Sequence, residues 1–298
     1  MQAGLRCVAP VGDKCGEAAT WHAPEQALYW VDLQRFLIHR YDLATQSTRS
    51  WHFDEPPVAL SLTRDPDWFL VALASRLIYW NPRTDARMPH GFVLEGSPAV
   101  RLNDGRSDPA GNFWVGSMKN NIAPDGSLME AGKGLGKLFR ITPTGDVSVW
   151  REGLGISNTL CWSPDAKHFY FGDTLENTIY RYRYARATAA ISEETAFFTG
   201  DPRGAPDGSS MDSAGNLWNC RFGGRGVICV SPEGKVLKVI ALPVSNATTC
   251  CFGGPDLKTL FITTASIVSP ESDRLAGSLF AIAVDVPGQP ENHFAGKP

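Results

Sequence analysis

One phrase recurs six times along the chain: a tight polar turn, a strand of aromatic and aliphatic residues, then a second strand. The copies are residues 22–32, 63–73, 107–117, 163–173, 212–220 and 254–264, of which Ser107-Asp-Pro-Ala-Gly-Asn-Phe-Trp-Val-Gly-Ser117 is representative. Successive copies lie roughly 40–55 residues apart, the period of a four-stranded propeller blade. They fill residues 1–298 with no linker or composition break between them, so one all-β domain is expected, a six-bladed β-propeller with four-stranded blades. The second strands, for example residues 36–41, 137–141, 178–182 and 226–230, alternate with period two between Gly, Pro, Asn and Asp, which leaves little room for helices. With strands lettered A to D from the axis outward, the polar turn is the A–B hairpin. The sixth blade runs short of an outer strand after residues 280–284. The N-terminal residues 5–9 are expected to supply it and to close the ring, removing two open sheet edges.

Composition narrows the partners. The chain carries 28 Lys and Arg against 31 Asp and Glu, a net charge of −3, without any basic run. Neither nucleic acid nor an anionic membrane is an expected partner. The first residues, Met1-Gln-Ala-Gly-Leu-Arg-Cys-Val8, lack the apolar core of a signal peptide, and no segment is long and apolar enough to span a bilayer. The seven cysteines are odd in number and match no zinc spacing. Reduced thiols in a cytoplasmic protein, a monomer or weak homo-oligomer, are the expectation. Asn246-Ala-Thr248 fits a glycosylation sequon, which in that setting is read as chance.

In a propeller the innermost strands converge on one axis and can be compared position by position. Counting back from each B strand to the axial end of strand A gives Glu17, Ala59, Asn103, Asn158, Asp207 and Thr249. Four of these carry carboxylate or amide oxygens, and no Lys or Arg stands at the other two. Buried carboxylates need a partner. A divalent cation held by Glu17, Asn158 and Asp207 would supply one, and the hard oxygen set suits Ca²⁺, Mg²⁺ or Mn²⁺ and tolerates Zn²⁺ or Fe²⁺. A hydrogen-bonded polar plug, or a purely structural ion, is the alternative on these residues alone.

The phrases around these positions resemble the regucalcin (senescence marker protein 30)/gluconolactonase family over nearly the whole chain. They are Cys15-Gly-Glu-Ala-Ala19, Arg101-Leu-Asn-Asp-Gly-Arg106, Gly155-Ile-Ser-Asn-Thr159, Ala205-Pro-Asp-Gly208 and the long run Cys251-Phe-Gly-Gly-Pro-Asp-Leu-Lys-Thr-Leu-Phe-Ile-Thr-Thr-Ala265. The resemblance implies a six-bladed propeller with one axial divalent metal held by Glu17, Asn158 and Asp207. It implies sugar-lactone hydrolysis, with Arg101 and Asn103 binding substrate. Two departures stand out. The family's usual Gly-Glu-Gly-Pro reads Gly16-Glu-Ala-Ala19 here, and acidic residues of animal members after the third B strand are replaced by Lys119-Asn120-Asn121. Asn121 is taken as a further substrate-binding candidate.

The expected chemistry is opening of a 1,4- or 1,5-aldonolactone, with the metal polarising the carbonyl and Asp207 orienting or deprotonating the attacking water. Arg101 and Asn103 would hold the sugar hydroxyls or the developing oxyanion. Asp104 and Asp173 are expected to support loops. Residues 119–136, inserted between strands B and C of blade three, should emerge at the ligand end as a lid or wall. No Gly-x-Ser-x-Gly elbow occurs and the six histidines are scattered. Organophosphate hydrolysis, or a non-catalytic metal-binding scaffold, are the alternative functions that the same oxygen set admits.

Overall fold

Each turn phrase becomes a fixed hydrogen-bonded unit. The computed structural model describes residues 2–298. In blade three, Asp108 accepts from the backbone N–H of Ala110 and Asn112 through Oδ1, and from Asn112 Nδ2 and Trp114 Nε1 through Oδ2. Asp212 repeats the pattern with Ala214, Asn216 and Trp218 in blade five. A short Asx turn thus locks onto the tryptophan of the following strand, and the glycine between them, Gly111 or Gly215, takes the positive φ the turn needs. The tryptophans pack between blades: Trp21 stacks on Phe261 with ring centroids 5.8 Å apart, and Trp114 meets Trp162 at 6.4 Å.

The A strands are Gly16–His22, Pro57–Thr63, Val100–Ser107, Ser157–Trp162, Ala205–Met211 and Ala247–Gly253. Each contacts the next around the ring, and the last returns to the first. Every sheet is antiparallel from A to D, as the repeat predicts. The outer strand of blade six is the N-terminal Arg6–Ala9, paired with Leu279–Ala283, so the chain's start closes the ring. All seven cysteines are free, five of them buried. Asn246 is buried and bonded through Nδ2 to the Ile267 carbonyl and the Ser269 hydroxyl, which makes the sequon a structural turn.

The C-terminal tail does something the repeat does not announce. His293–Phe294 adds a short parallel strand to the first strand of blade two, giving that sheet five strands. On the way the tail bonds to Met211, Trp162 and Leu257 and buries Phe294 completely. It crosses the end of the channel away from the A-strand starts. Its three prolines and two glycines hide it from any periodicity, since its bonds are to scattered blades.

At the start of every A strand the register slips. In blade one Glu17 pairs with Val31 and Thr20 with Tyr29, three residues opposite two; blades three to six repeat this and blade two has a smaller slip. These are β-bulges, which turn a strand and re-aim its side chains. Ala18 lies in the first bulge at φ 54° and Thr159 in the fourth at φ 55°. The left-handed backbone at Ala18 explains why a glycine suits this place in the family's motif.

Candidate functional site

The bulges aim polar side chains into the mouth of the channel. The six counted positions are not equivalent rungs, however. Glu17 and Asn158 are the last paired residues before their bulges, Asn103 and Asp207 lie one residue inside theirs, Thr249 lies two inside, and Ala59 is the paired residue that closes the smaller slip of blade two. The bulged residue is what lets neighbours of different count reach one place. Glu17, Arg101, Asn103, Asn121, Asn158 and Asp207, every candidate named from sequence, line a single cavity of about 360 Å³. Two larger grooves of about 560 Å³ lie on outer strands, one beside Phe92 and Val147, the other beside Arg181 and Tyr184. Neither gathers buried carboxylates and amides, so the channel mouth is the chemical site.

A hydrogen-bond chain joins blades three, four and five across this floor. Asn121 Oδ1 accepts from Arg101 Nε at 3.0 Å and Nη2 at 2.7 Å. Arg101 Nη1 donates to Asn103 Oδ1 at 2.7 Å, and Asn103 Nδ2 donates to Asn158 Oδ1 at 3.2 Å and the Ser157 carbonyl at 2.8 Å. Asn158 Nδ2 donates to Thr174, whose hydroxyl donates to the Pro206 carbonyl, both at 2.8 Å. Asn158 therefore points its amide oxygen inward. Arg101 is only 4% exposed yet meets amides and carbonyls rather than a carboxylate, and burial pushes its guanidinium down to about 10. The neutral Asn121 leaves that charge free for an oxygen-rich ligand.

Glu17 and Asp207 line the same cavity and lie in each other's electrostatic field. Burial first, then the neighbouring carboxylates, pushes both well above the usual carboxylate range. Asp104 belongs to the same field: it adds to the shift of both, and burial raises its own pKa despite Arg106 and backbone N–H groups nearby. It lies inside the bulge between Leu102 and Gly105 and is not among the residues that line the cavity. Asp173 does support a loop, accepting from the N–H groups of Gly155, Ile156 and Leu175. Two mutually repelling carboxylates beside an inward amide oxygen fit a divalent cation; among the described residues no group of three or more His, Cys, Asp or Glu offers another metal site.

Sequence reading missed the residues that hold Asp207. Its carbonyl accepts from Thr159 Oγ1 at 2.5 Å and Asn219 Nδ2 at 3.1 Å. Arg221, 1% exposed, fans out to Asn219 Oδ1, Asn177 Oδ1 and the carbonyls of Arg203 and Gly204, clamping the loop that leads into Asp207. The signal was available: Arg221 and Asn219 stand in a buried B strand where the other blades carry Val31, Leu73, Ser117, Gly172 and Thr264, and Tyr29, Val71, Val115, Tyr170 and Ile262. Arg221→Lys keeps the charge but strands several of these acceptors, at about 1–3 kcal/mol for each one left unpaired. Urea unfolding should show a loss of that order, and turnover of whatever substrate the site takes should fall through kcat more than KM.

The residue 119–136 insertion does stand at the mouth: Asn121, Leu128, Met129 and Glu130 line the cavity. The histidines stand elsewhere. His22 ends its strand against the Pro66 carbonyl, and His39 is buried against Asp13 and Ser50.

Residues 15–266 match the family model described as SMP-30/Gluconolactonase/LRE-like region. The 6-deoxy-6-sulfogluconolactonase of Pseudomonas putida is 34% identical over 309 residues, covering 99% of this chain and 100% of its own. The pentonolactonase of Haloferax volcanii is 33% identical over 292 residues, covering 93% and 94%. Among solved structures, a calcium-binding protein, regucalcin, from Agrobacterium tumefaciens aligns with a TM-score of 0.90 at 26% identity, over 98% of this chain and 97% of that one. Repeat, bulged axial strands and full-length relatives lead to one assignment: the chain belongs to the SMP-30/gluconolactonase/LRE-like family.

Proposed function

We propose that this protein is a metal-dependent sugar lactonase, a hydrolase acting on the carboxylic ester bond of a 1,4- or 1,5-aldonolactone. The observation that carries the reading is the meeting of Glu17, Asn158 and Asp207 with the Arg101–Asn103–Asn121 network under one cavity. The relatives named pentonolactonase and 6-deoxy-6-sulfogluconolactonase support sugar lactones as the substrate class. Glu17, Asn158 and Asp207 would hold the cation, which would supply Lewis acidity toward the carbonyl oxygen and offset the charge of the carboxylate pair. The Agrobacterium relative is a calcium-binding protein, and Zn²⁺, Mn²⁺, Mg²⁺ or Fe²⁺ are compatible with the same donors.

Arg101 and Asn103 bind and orient the ring. Arg101 is fixed by Asn121, so its fork needs no reorganisation when a lactone arrives. Asp207 orients the attacking water and accepts its proton as the water oxygen bonds to the carbonyl carbon. The ring C–O bond then breaks, and the ring oxygen leaves as a hydroxyl carrying that proton from Asp207, with one water consumed per ring. Thr159 and Asn219 hold the Asp207 backbone still through these steps.

The test is acid release by metal-stripped protein from a panel of pentono- and hexonolactones, with and without each of the five cations. Turnover above the spontaneous rate, restored by a cation, is expected. Silence across the panel with a cation demonstrably bound would reject the lactonase reading in favour of phosphotriester hydrolysis or a non-catalytic role.

A further inference from the structure

The cavity's floor is polar, but its rim is not. Ile156, Phe222, Ile267 and Val268 from three blades, with Leu128 and Met129 from the insertion, line the same space as the carboxylates. Leu128, Met129 and Val268 are 46%, 41% and 69% exposed, so the rim presents free apolar surface to an incoming ligand. Gln34 and Glu130 are its polar interruptions. Exposed apolar surface continuous with a polar catalytic floor is what a ligand with one polar and one apolar end requires.

The rim is also held rigid. Val268 sits at φ 49°, a left-handed backbone that a β-branched residue rarely adopts. It stays there because the loop is braced on both sides. Ser266 N and Ile267 N donate to the Lys14 carbonyl, Asn246 Nδ2 donates to the Ile267 carbonyl and Ser269 Oγ, and Ser269 Oγ donates to the Ala265 carbonyl, at 2.9–3.1 Å. Strain maintained at a cavity mouth, with the valine side chain outward, marks a position kept for its shape.

We propose that the chain opens lactones bearing an apolar substituent: the ring rests on Arg101, Asn103 and the carboxylate floor, and an alkyl arm lies along the rim. A fully hydroxylated hexonolactone would press hydroxyls against that wall, each losing water without gaining a partner. An alkyl arm buries its methylenes there instead. This inference rests on the lactonase reading above and extends the substrates beyond aldonolactones to lactones with an apolar arm. The reaction remains addition of one water across the ring ester bond, with the ring oxygen released as the alcohol.

The test uses the metal-loaded, full-length protein and a series of γ-butyrolactones whose 4-alkyl arm grows from methyl to hexyl, beside pentono-1,4-lactones. The expected result is a kcat/KM that rises about two- to fourfold per methylene until the rim is spanned. Val268→Asn places a residue tolerant of positive φ there, so the fold is kept, checked by its melting temperature. It should lower the hexyl-to-methyl ratio of kcat/KM by about fivefold or more, the loss of the contact made by one aliphatic side chain. A flat or falling series, with pentonolactones still opened, overturns the apolar-arm proposal alone. A folded Val268→Asn protein with an unchanged chain-length dependence overturns the placement of the arm on this rim. No opening of either series, with the cation bound, removes the lactonase reading and this inference together.

Discussion

Asp207→Asn is expected to lower kcat for lactone opening by about 10²–10⁴-fold, the usual contribution of a positioned general base. The change keeps an oxygen donor toward the cation but removes the proton acceptor and one negative charge, so cation affinity should fall as well and turnover is compared at saturating cation. The backbone of residue 207 stays held by Thr159 and Asn219, and the Arg221 clamp does not touch the side chain that changes. The fold should therefore persist, and the metal-free variant should melt no lower than the parent, since one of two facing buried carboxylates has become neutral. Measuring kcat, KM, cation affinity and melting temperature on one preparation separates the effects. Turnover within tenfold of the parent, with the cation bound, would remove Asp207 from the proton transfer. His168→Ala is the matched control: His168 begins a B strand beside the A–B turn, lines an outer groove, and should leave turnover unchanged.

How much of this was written in the chain differs between fold and site. The blade count was legible because a polar turn before an aromatic strand recurs, and in blades three and five Asp108 and Asp212 make the same bonds within it. Closure by Arg6–Ala9 was legible as a missing outer strand. The tail was not, because its order comes from single bonds to scattered blades rather than from alternation. At the site, the ligand candidates came from type and place. The unequal depth of these candidates in their bulges was not legible, because a residue count cannot see a bulge. Arg221 was overlooked because it acts through carbonyls, and its signal is only its contrast with Val31, Leu73 and Thr264 at the same rung.

Stripping the cation should make the protein less stable as pH rises, and loading it should cancel that loss. Glu17, Asp207 and Asp104 all have pKa values raised in the folded state, chiefly by burial. The unfolded chain ionises them near their ordinary values of about 4. Their stability contribution is therefore fully present below about pH 4 and is lost as pH climbs through the higher folded values. Other carboxylates work in the opposite direction: Asp201, Asp273 and Glu25 are held below the ordinary range by arginine or hydrogen-bond partners, so they favour the fold as pH rises. A melting curve of metal-free protein alone mixes the two groups. The difference between metal-free and metal-loaded protein isolates the channel, because the cation touches only the first group. At a cation concentration of 100 times Kd, binding adds about 2.7 kcal/mol, or roughly 5 °C for a chain of this size. That gap should be small at pH 5, where protons compete for the carboxylates, and should widen toward pH 8. Glu17→Gln, which removes one negative donor, should shrink the gap at pH 8 while leaving it nearly unchanged at pH 5. A gap of equal size at both pH values would mean that the stabilising cation binds somewhere other than between Glu17 and Asp207.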